Sequence, residues 1–265
     1  MNDHPHRTGF VGDDRLAYAA SRRRFEPGEP LAFDEAYRLA HLPLVAPGHP
    51  AAIRERAGQS YRDGRYPEWR HALVAPVDWP QLAASPAFQA LEDEMGRASF
   101  AGKIAWQLGR QRRPVLHATL ASGLEADRIG ACAAALSPVL ARMGRLRMRL
   151  GGPLVGNRNW GRIYLPAYPA LVDGEDAFAK MQDAIGAGRS GFYGVGYWHL
   201  TDPLDAPEAA DLSAILDRWR CEVVAELDLA AVILHATRDD LVLSGRPLAT
   251  ISTGSGRVEL HPLEK

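Results

Sequence analysis

Three His-x-Thr triplets stand out in the chain: His117-Ala118-Thr119, His199-Leu200-Thr201 and His235-Ala236-Thr237. With nine histidines among 265 residues, random placement does not account for all three. On a β-strand, residues two apart share a face, so each triplet presents an imidazole and a hydroxyl together. Imidazole takes or gives a proton near neutral pH, and a threonine hydroxyl donates to a phosphoryl oxygen. Two such strands in apposition bring two imidazoles and two hydroxyls onto one small volume. That set suffices for in-line attack on a phosphodiester. One imidazole takes a proton from water, the other protonates the leaving oxygen, and the hydroxyls hold the non-bridging oxygens. The chemistry requires no metal and no cofactor. Cys132 and Cys221 fall far apart in predicted helices, without ligand spacing.

The elements around the first two triplets echo each other. A strand over 115–120 leads through Ser122-Gly123-Leu124-Glu125, a capping box, into a helix to about Met143 and a strand over 146–150. A strand over 197–201 leads through Asp205-Ala206-Pro207-Glu208 into a helix to about Ala225 and a further strand. The repeat predicts an α+β fold of two lobes related by a pseudo-twofold. Each lobe is an antiparallel sheet with helices on its outer face, and the His117 and His199 strands meet at a central cleft. The third triplet follows His199 by 36 residues with no capped helix after it, and is read as structural.

Elsewhere the pattern predicts a strand over 69–76 and a helix over 85–95 with Ser85 as N-cap. Strands over 104–108 and 115–120 flank a polar turn at 109–114. A strand over 162–165, a helix over 177–185 and a glycine-rich loop over 186–196 follow. Strands near 231–235, 241–244 and 248–252 close the chain. Residues 1–66, broken by Pro27, Pro30, Pro43, Pro47 and Pro50, form an amino-terminal extension with one to three short helices, and residues 67–265 form the bilobal domain.

Val115-Leu116-His117-Ala118-Thr119-Leu120 and Tyr197-Trp198-His199-Leu200-Thr201, with the inter-motif strand Gly161–Pro166 and the closing hairpin strands, resemble the 2H phosphoesterases. That family includes RNA 2′,3′-cyclic phosphodiesterases and 2′-5′ RNA ligase-like proteins. The resemblance runs from about Trp69 to Gly254. It implies His117 and His199 as the catalytic pair, with Thr119 and Thr201 binding the substrate. It implies a metal-independent phosphodiesterase acting on a 2′,3′-cyclic phosphate or a related cyclic nucleotide or RNA end, and a role in RNA processing. Two alternatives use the same residues: a 2′-5′ RNA ligase running the reaction in reverse, and a nucleotide-binding module without chemistry. Two features depart from the family pattern: Asp202-Pro203 follows the second motif where an apolar residue is usual, and the amino-terminal extension is not part of it.

Tyr197 shares the strand face of His199 and Thr201 by alternation, which suits stacking on a base, although a core aromatic is an equal alternative. Arg162 and Tyr164 share a face of the inter-motif strand and can steer a phosphate. Arg110, Arg112 and Arg113 lie just before His117, where a basic rim and a solvated turn are the two readings.

The net charge is −1, from 31 basic and 32 acidic residues, which argues against an extended nucleic-acid interface and for a small nucleotide or RNA-end substrate. Only Lys103, Lys180 and Lys265 are lysines, but a GC-rich coding sequence yields the same excess of Arg, so Arg content alone is no phosphate signal. No apolar run reaches the ~18 residues of a membrane span, and Met1–Gly12 has no apolar core of a secretory signal. A cytoplasmic protein without membrane partners is expected.

Overall fold

The computed structural model of the chain describes residues 9–261. Most of the amino-terminal stretch read above for a signal lies outside them. In chain order the strands are β1 (Arg65–Pro76), β2 (His117–Leu124), β3 (Leu146–Gly151), β4 (Leu154–Val155), β5 (Arg162–Pro169), β6 (Leu171–Val172), β7 (Glu175–Asp176), β8 (Gly194–His199), β9 (Val223–Leu229), β10 (Ala231–Asp239), β11 (Arg246–Ser252) and β12 (Val258–Leu260). The helices are α1 (Tyr18–Ser21), α2 (Glu35–Ala40), α3 (Leu42–Val45), α4 (Trp79–Ala83), α5 (Pro86–Arg97), α6 (Trp106–Arg112), α7 (Ile129–Met143), α8 (Ala177–Ala184) and α9 (Ala206–Trp219).

Leu73, Val74 and Ala75 are buried in succession along β1, as an apolar run is when both faces of a strand are covered. β1 is accordingly interior to a five-stranded antiparallel sheet of order β12-β11-β10-β1-β2, which leaves β2 at an edge. In the second antiparallel sheet β5 is central. β8 pairs with one side of it, and β4 and β3 pair with successive halves of the other, with β9 beyond β3. The α+β class with antiparallel sheets is therefore present. β2 and β8, which carry the first two histidines, lie against each other.

Apolar helix faces cover the sheets. Phe88, Leu91 and Met95 of α5 are buried, and α5 packs on β9. Cys132, Leu136 and Leu140 of α7 are buried, and α7 packs on β11. Ser85 caps α5, and Asp205 with Glu208 forms the expected capping box of α9.

Several expected elements differ. Ser122–Leu124 extends β2, because Ser122 pairs with Ala72 and Leu124 with His71, so Ser122-x-x-Glu125 caps no helix. A 3-10 turn over Ala126–Arg128 leads into α7 instead. The expected strand over 104–108 is replaced by α6, which buries Leu108 and Arg112 one helical turn apart. No strand forms over 241–244, because the Asp239 carboxylate accepts from the Leu243 and Ser244 amides and closes a turn. α9 stops at Trp219, and β8 runs from Gly194 and ends at His199.

The segment before β1 packs into the same core as the sheets through Leu31, Phe33, Tyr37 and Leu42. Asp34 caps α2 through the Tyr37 amide and also accepts from the Asn159 and Trp160 amides, at the entry to β5. The Tyr37 hydroxyl donates to the Leu200 carbonyl at 2.6 Å, and a side chain on Gly161 would overlap the Tyr37 ring. Among the described residues no helix is long and apolar enough to cross a membrane.

Candidate active site

His117 opens β2, and its Nδ1 donates to the Val115 carbonyl at 2.8 Å. That bond leaves the Nε2 lone pair free, the form a general base needs. His117 and Thr119 line a cleft of about 400 Å³ together with Arg70, Arg162 and Tyr164. Burial, with the neighbouring His235 ring, pushes the His117 pKa down to about 3.

His235 also lines this cleft, its ring centroid 5.0 Å from that of His117 and nearly perpendicular to it. The third triplet, expected to be purely structural, therefore supplies an imidazole beside the first. The reason is strand order: β1 pairs with both β2 and β10, so residues of those two strands face one wall. Thr237 keeps the structural role, its hydroxyl donating to the Asp239 carbonyl. Burial and His71 hold the His235 pKa at about 4.

His199 sits directly opposite Arg162 across β8 and β5, so the two side chains leave the same face. Arg162 lines the cleft and His199 does not. His199 is 1% exposed, and its buried Nε2 has no hydrogen-bond partner. Burial first, then Arg112 and Arg162, hold its pKa well below the usual imidazole range, while the Tyr197 carbonyl accepts from the ring. The same two guanidiniums act on His117, so both motif histidines share one electrostatic neighbourhood. Thr201 lies beyond the end of β8 and away from the cleft, its hydroxyl 3.2 Å from the Lys103 carbonyl and 3.0 Å from the Asp202 carboxylate.

Tyr197 does not share the face of His199. Trp198 pairs with Ile163 and Gly196 with Tyr164, so Tyr197 is the extra residue of a β-bulge and turns away. Its hydroxyl donates to Glu92 at 2.9 Å, and its ring stacks on Trp79. Arg162 and Tyr164 do stand on one wall, with the guanidinium 4.9 Å from the Tyr164 ring centroid. The bulge also leaves Gly196 beneath Arg162, where a side chain would strike the guanidinium.

Arg112, on α6 rather than in a solvated turn, is 2% exposed. It donates through Nε to the Leu241 carbonyl and through a terminal nitrogen to that of Gly196. Burial and then Arg162 lower its pKa to about 9. Among the described residues no carboxylate lies within 4.0 Å of Arg112 or Arg162 (the distance of an ion pair), although the buried Asp239 carboxylate, farther off, favours the Arg112 charge. His41, at the end of α2, is fully buried behind His199, and Asp240 lines the cleft. The signal for His41 was a lone histidine inside the apolar run Leu39–Leu44; for Arg112 it was helical spacing from Leu108.

Among the described residues no group of three or more His, Cys, Asp or Glu side chains is arranged to hold a metal ion. No protein-family model matches the chain, and a search of curated proteins finds no match.

Proposed function

We propose that the chain is a metal-independent phosphodiesterase that opens a 2′,3′-cyclic phosphate, or a related cyclic nucleotide or RNA end, at the His117 cleft. The observation that carries this reading is the half-buried Arg162 guanidinium, which lines the cleft beside His117 and Thr119 and, among the described residues, has no carboxylate within ion-pair distance. A partly buried cation without a paired anion favours an anionic ligand, and a phosphate group in the cleft supplies that charge. His117 takes the proton of the attacking water at Nε2, and the water oxygen bonds to phosphorus. Thr119 and Arg162 hold the non-bridging oxygens as charge builds. Moving onto the phosphate, Arg162 uncovers His199, whose imidazolium protonates the leaving ribose oxygen as the P–O bond breaks. Phosphate charge offsets both guanidiniums, which raises the His199 pKa toward the range an acid needs. The free thiols Cys132 and Cys221 agree with a reducing, cytosolic setting.

The test is turnover by the full chain, in chelator, of cyclic nucleotides and cyclic-phosphate-ended oligonucleotides. His117→Ala is expected to lower kcat/KM by about 100-fold or more. Unchanged turnover in that variant refutes the assignment, and products from a cut RNA separate hydrolysis from 2′-5′ ligation. One observation favours a second reading, a nucleotide-binding module without chemistry: His199 is sealed from the cleft and the Thr201 hydroxyl faces Lys103 and Asp202. Calorimetric binding of a nucleoside monophosphate, with no turnover across the panel, selects it.

A further inference from the structure

Sealed at 1% exposure, His199 has no direct route for protons to or from solvent. What packs behind it comes from the segment before β1. The His41 ring centroid lies 6.0 Å from that of His199, stacked on its other side against Tyr37. His41 is 0% exposed, and neither of its ring nitrogens has a hydrogen-bond partner. Its Nε2 is 3.8 Å from Asp240 Oδ2. Asp240 lines the His117 cleft and also a second cavity of about 510 Å³ on the α2 side, so its carboxylate meets solvent where the two histidines do not. Tyr61 and Tyr66 both donate their hydroxyls to Asp240 and fix its position.

The unpartnered His41 imidazole lies between a half-open carboxylate and a histidine whose Nε2 lacks a partner, and the three make a chain from solvent to the sealed histidine. We infer that His41 and Asp240 are positioning residues that carry protons between solvent and His199. The inference rests on the phosphodiesterase reading for its purpose, since only an acid–base role requires His199 to change charge. In one direction, protonated Asp240 gives its proton to His41 Nε2 and returns to carboxylate. His41 releases a proton from its other nitrogen to His199 Nε2, and ends as the opposite tautomer. Reversal of the steps resets the chain after turnover. Two gaps close for transfer, since His41 and His199 make no hydrogen bond to each other. A contraction of less than 1 Å brings His41 within hydrogen-bond distance of Asp240, and the His41 ring moves onto His199 Nε2, a tightening common when a ligand completes a site.

The groups facing His41 set when this happens. Burial first, then Arg162 of β5 and Arg112 of α6, oppose its protonation, and Tyr37 of α2 and His199 of β8 pack on it uncharged. Asp240, after β10, is the one carboxylate against it among the described residues. An anion on Arg162 weakens that opposition, so phosphate binding is expected to draw protons into the site.

The experiment measures proton uptake when inorganic phosphate binds the full chain, by calorimetry in buffers of differing ionisation enthalpy. It is run beside the pH profile of cyclic-phosphate turnover. Wild type is expected to take up protons. His41→Gln and Asp240→Asn are expected to bind phosphate and reach a similar extent of uptake about 10-fold more slowly, followed with a pH indicator after rapid mixing, because the proton's end point, His199, is still present. Asp240→Asn replaces a partly exposed group and guards against misfolding of the buried variant. Both variants are expected to lower kcat/KM by about 10-fold, less than removal of His117, and to shift the pH profile. An uptake rate and a profile unchanged in both variants overturn the relay and leave the phosphodiesterase reading standing. Variant-sensitive uptake without turnover in wild type sinks that reading and keeps the proton path. Wild type that binds phosphate without uptake overturns the relay, and wild type that binds no phosphate overturns both.

Discussion

Lowering the pH is expected to unfold this protein through its buried imidazoles before most carboxylates titrate. His41 and His199 are completely enclosed, and their pKa values are held well below the usual imidazole range by burial and by two guanidiniums. In the unfolded chain both titrate near the ordinary value of about 6.5. Below that pH the unfolded state binds protons that the folded state refuses, so stability is complete above it and falls as pH drops. Each group contributes up to about 1.4 kcal/mol per pH unit in that window, so the pair removes about 3 kcal/mol between pH 6.5 and 5. His117 and His235, with folded values of about 3 and about 4, add to the loss. That compares with about 5–15 kcal/mol for the whole stability of an ordinary domain. Urea unfolding followed by tryptophan fluorescence at pH 7.5, 6.5, 5.5 and 5.0 measures the loss directly. Saturating phosphate is expected to blunt it, because an anion on Arg162 lets the folded site accept protons. A stability unchanged from pH 7.5 to 5.0, or a loss indifferent to phosphate, would show that the imidazoles are not held neutral by burial and the neighbouring guanidiniums.

Arg162→Met is expected to weaken phosphate binding by about 10-fold or more while raising the thermal midpoint, since a half-buried guanidinium whose Nε has no partner is replaced by an apolar chain; calorimetry and thermal melts read the two effects. Gly196→Ala is expected to leave the fold intact yet displace the Arg162 guanidinium, so that circular dichroism stays constant while turnover falls. Tyr37→Phe removes a buried hydrogen bond to the Leu200 carbonyl and leaves that acceptor unpaired, at a cost of about 1–3 kcal/mol in urea unfolding.

The parts legible in the sequence were those governed by short-range rules. Ser85, Asp205 and Glu208 declare their helices because a cap is a contact over three residues. Arg162 and Tyr164 were readable as neighbours because strand alternation holds across them. Tyr197 was misread for the same reason: alternation fails at a bulge, and a bulge depends on the partner strand β5, not on local sequence. Ser122–Glu125 has a capping pattern, but β1 claims Ser122 for the sheet, and pairing outweighs a cap. The meeting of His235 with His117 follows from β1 lying between their strands, a matter of strand order that no triplet spacing encodes. His41 entered from the proline-broken segment, whose packing is decided by Tyr37 finding a glycine at 161, far along the chain.

Arg112 spans from the turn between β10 and β11 to the bulged strand β8, holding a carbonyl on each. It is thus a strut as well as a charge. Any replacement that softens the positive field also cuts a brace between the two sheets, so affinity and rigidity cannot be adjusted independently there. Arg162 makes no such brace. The freedom to retune the cleft toward weaker, tighter or differently charged ligands therefore belongs to β5, while α6 is obliged to stay as it is.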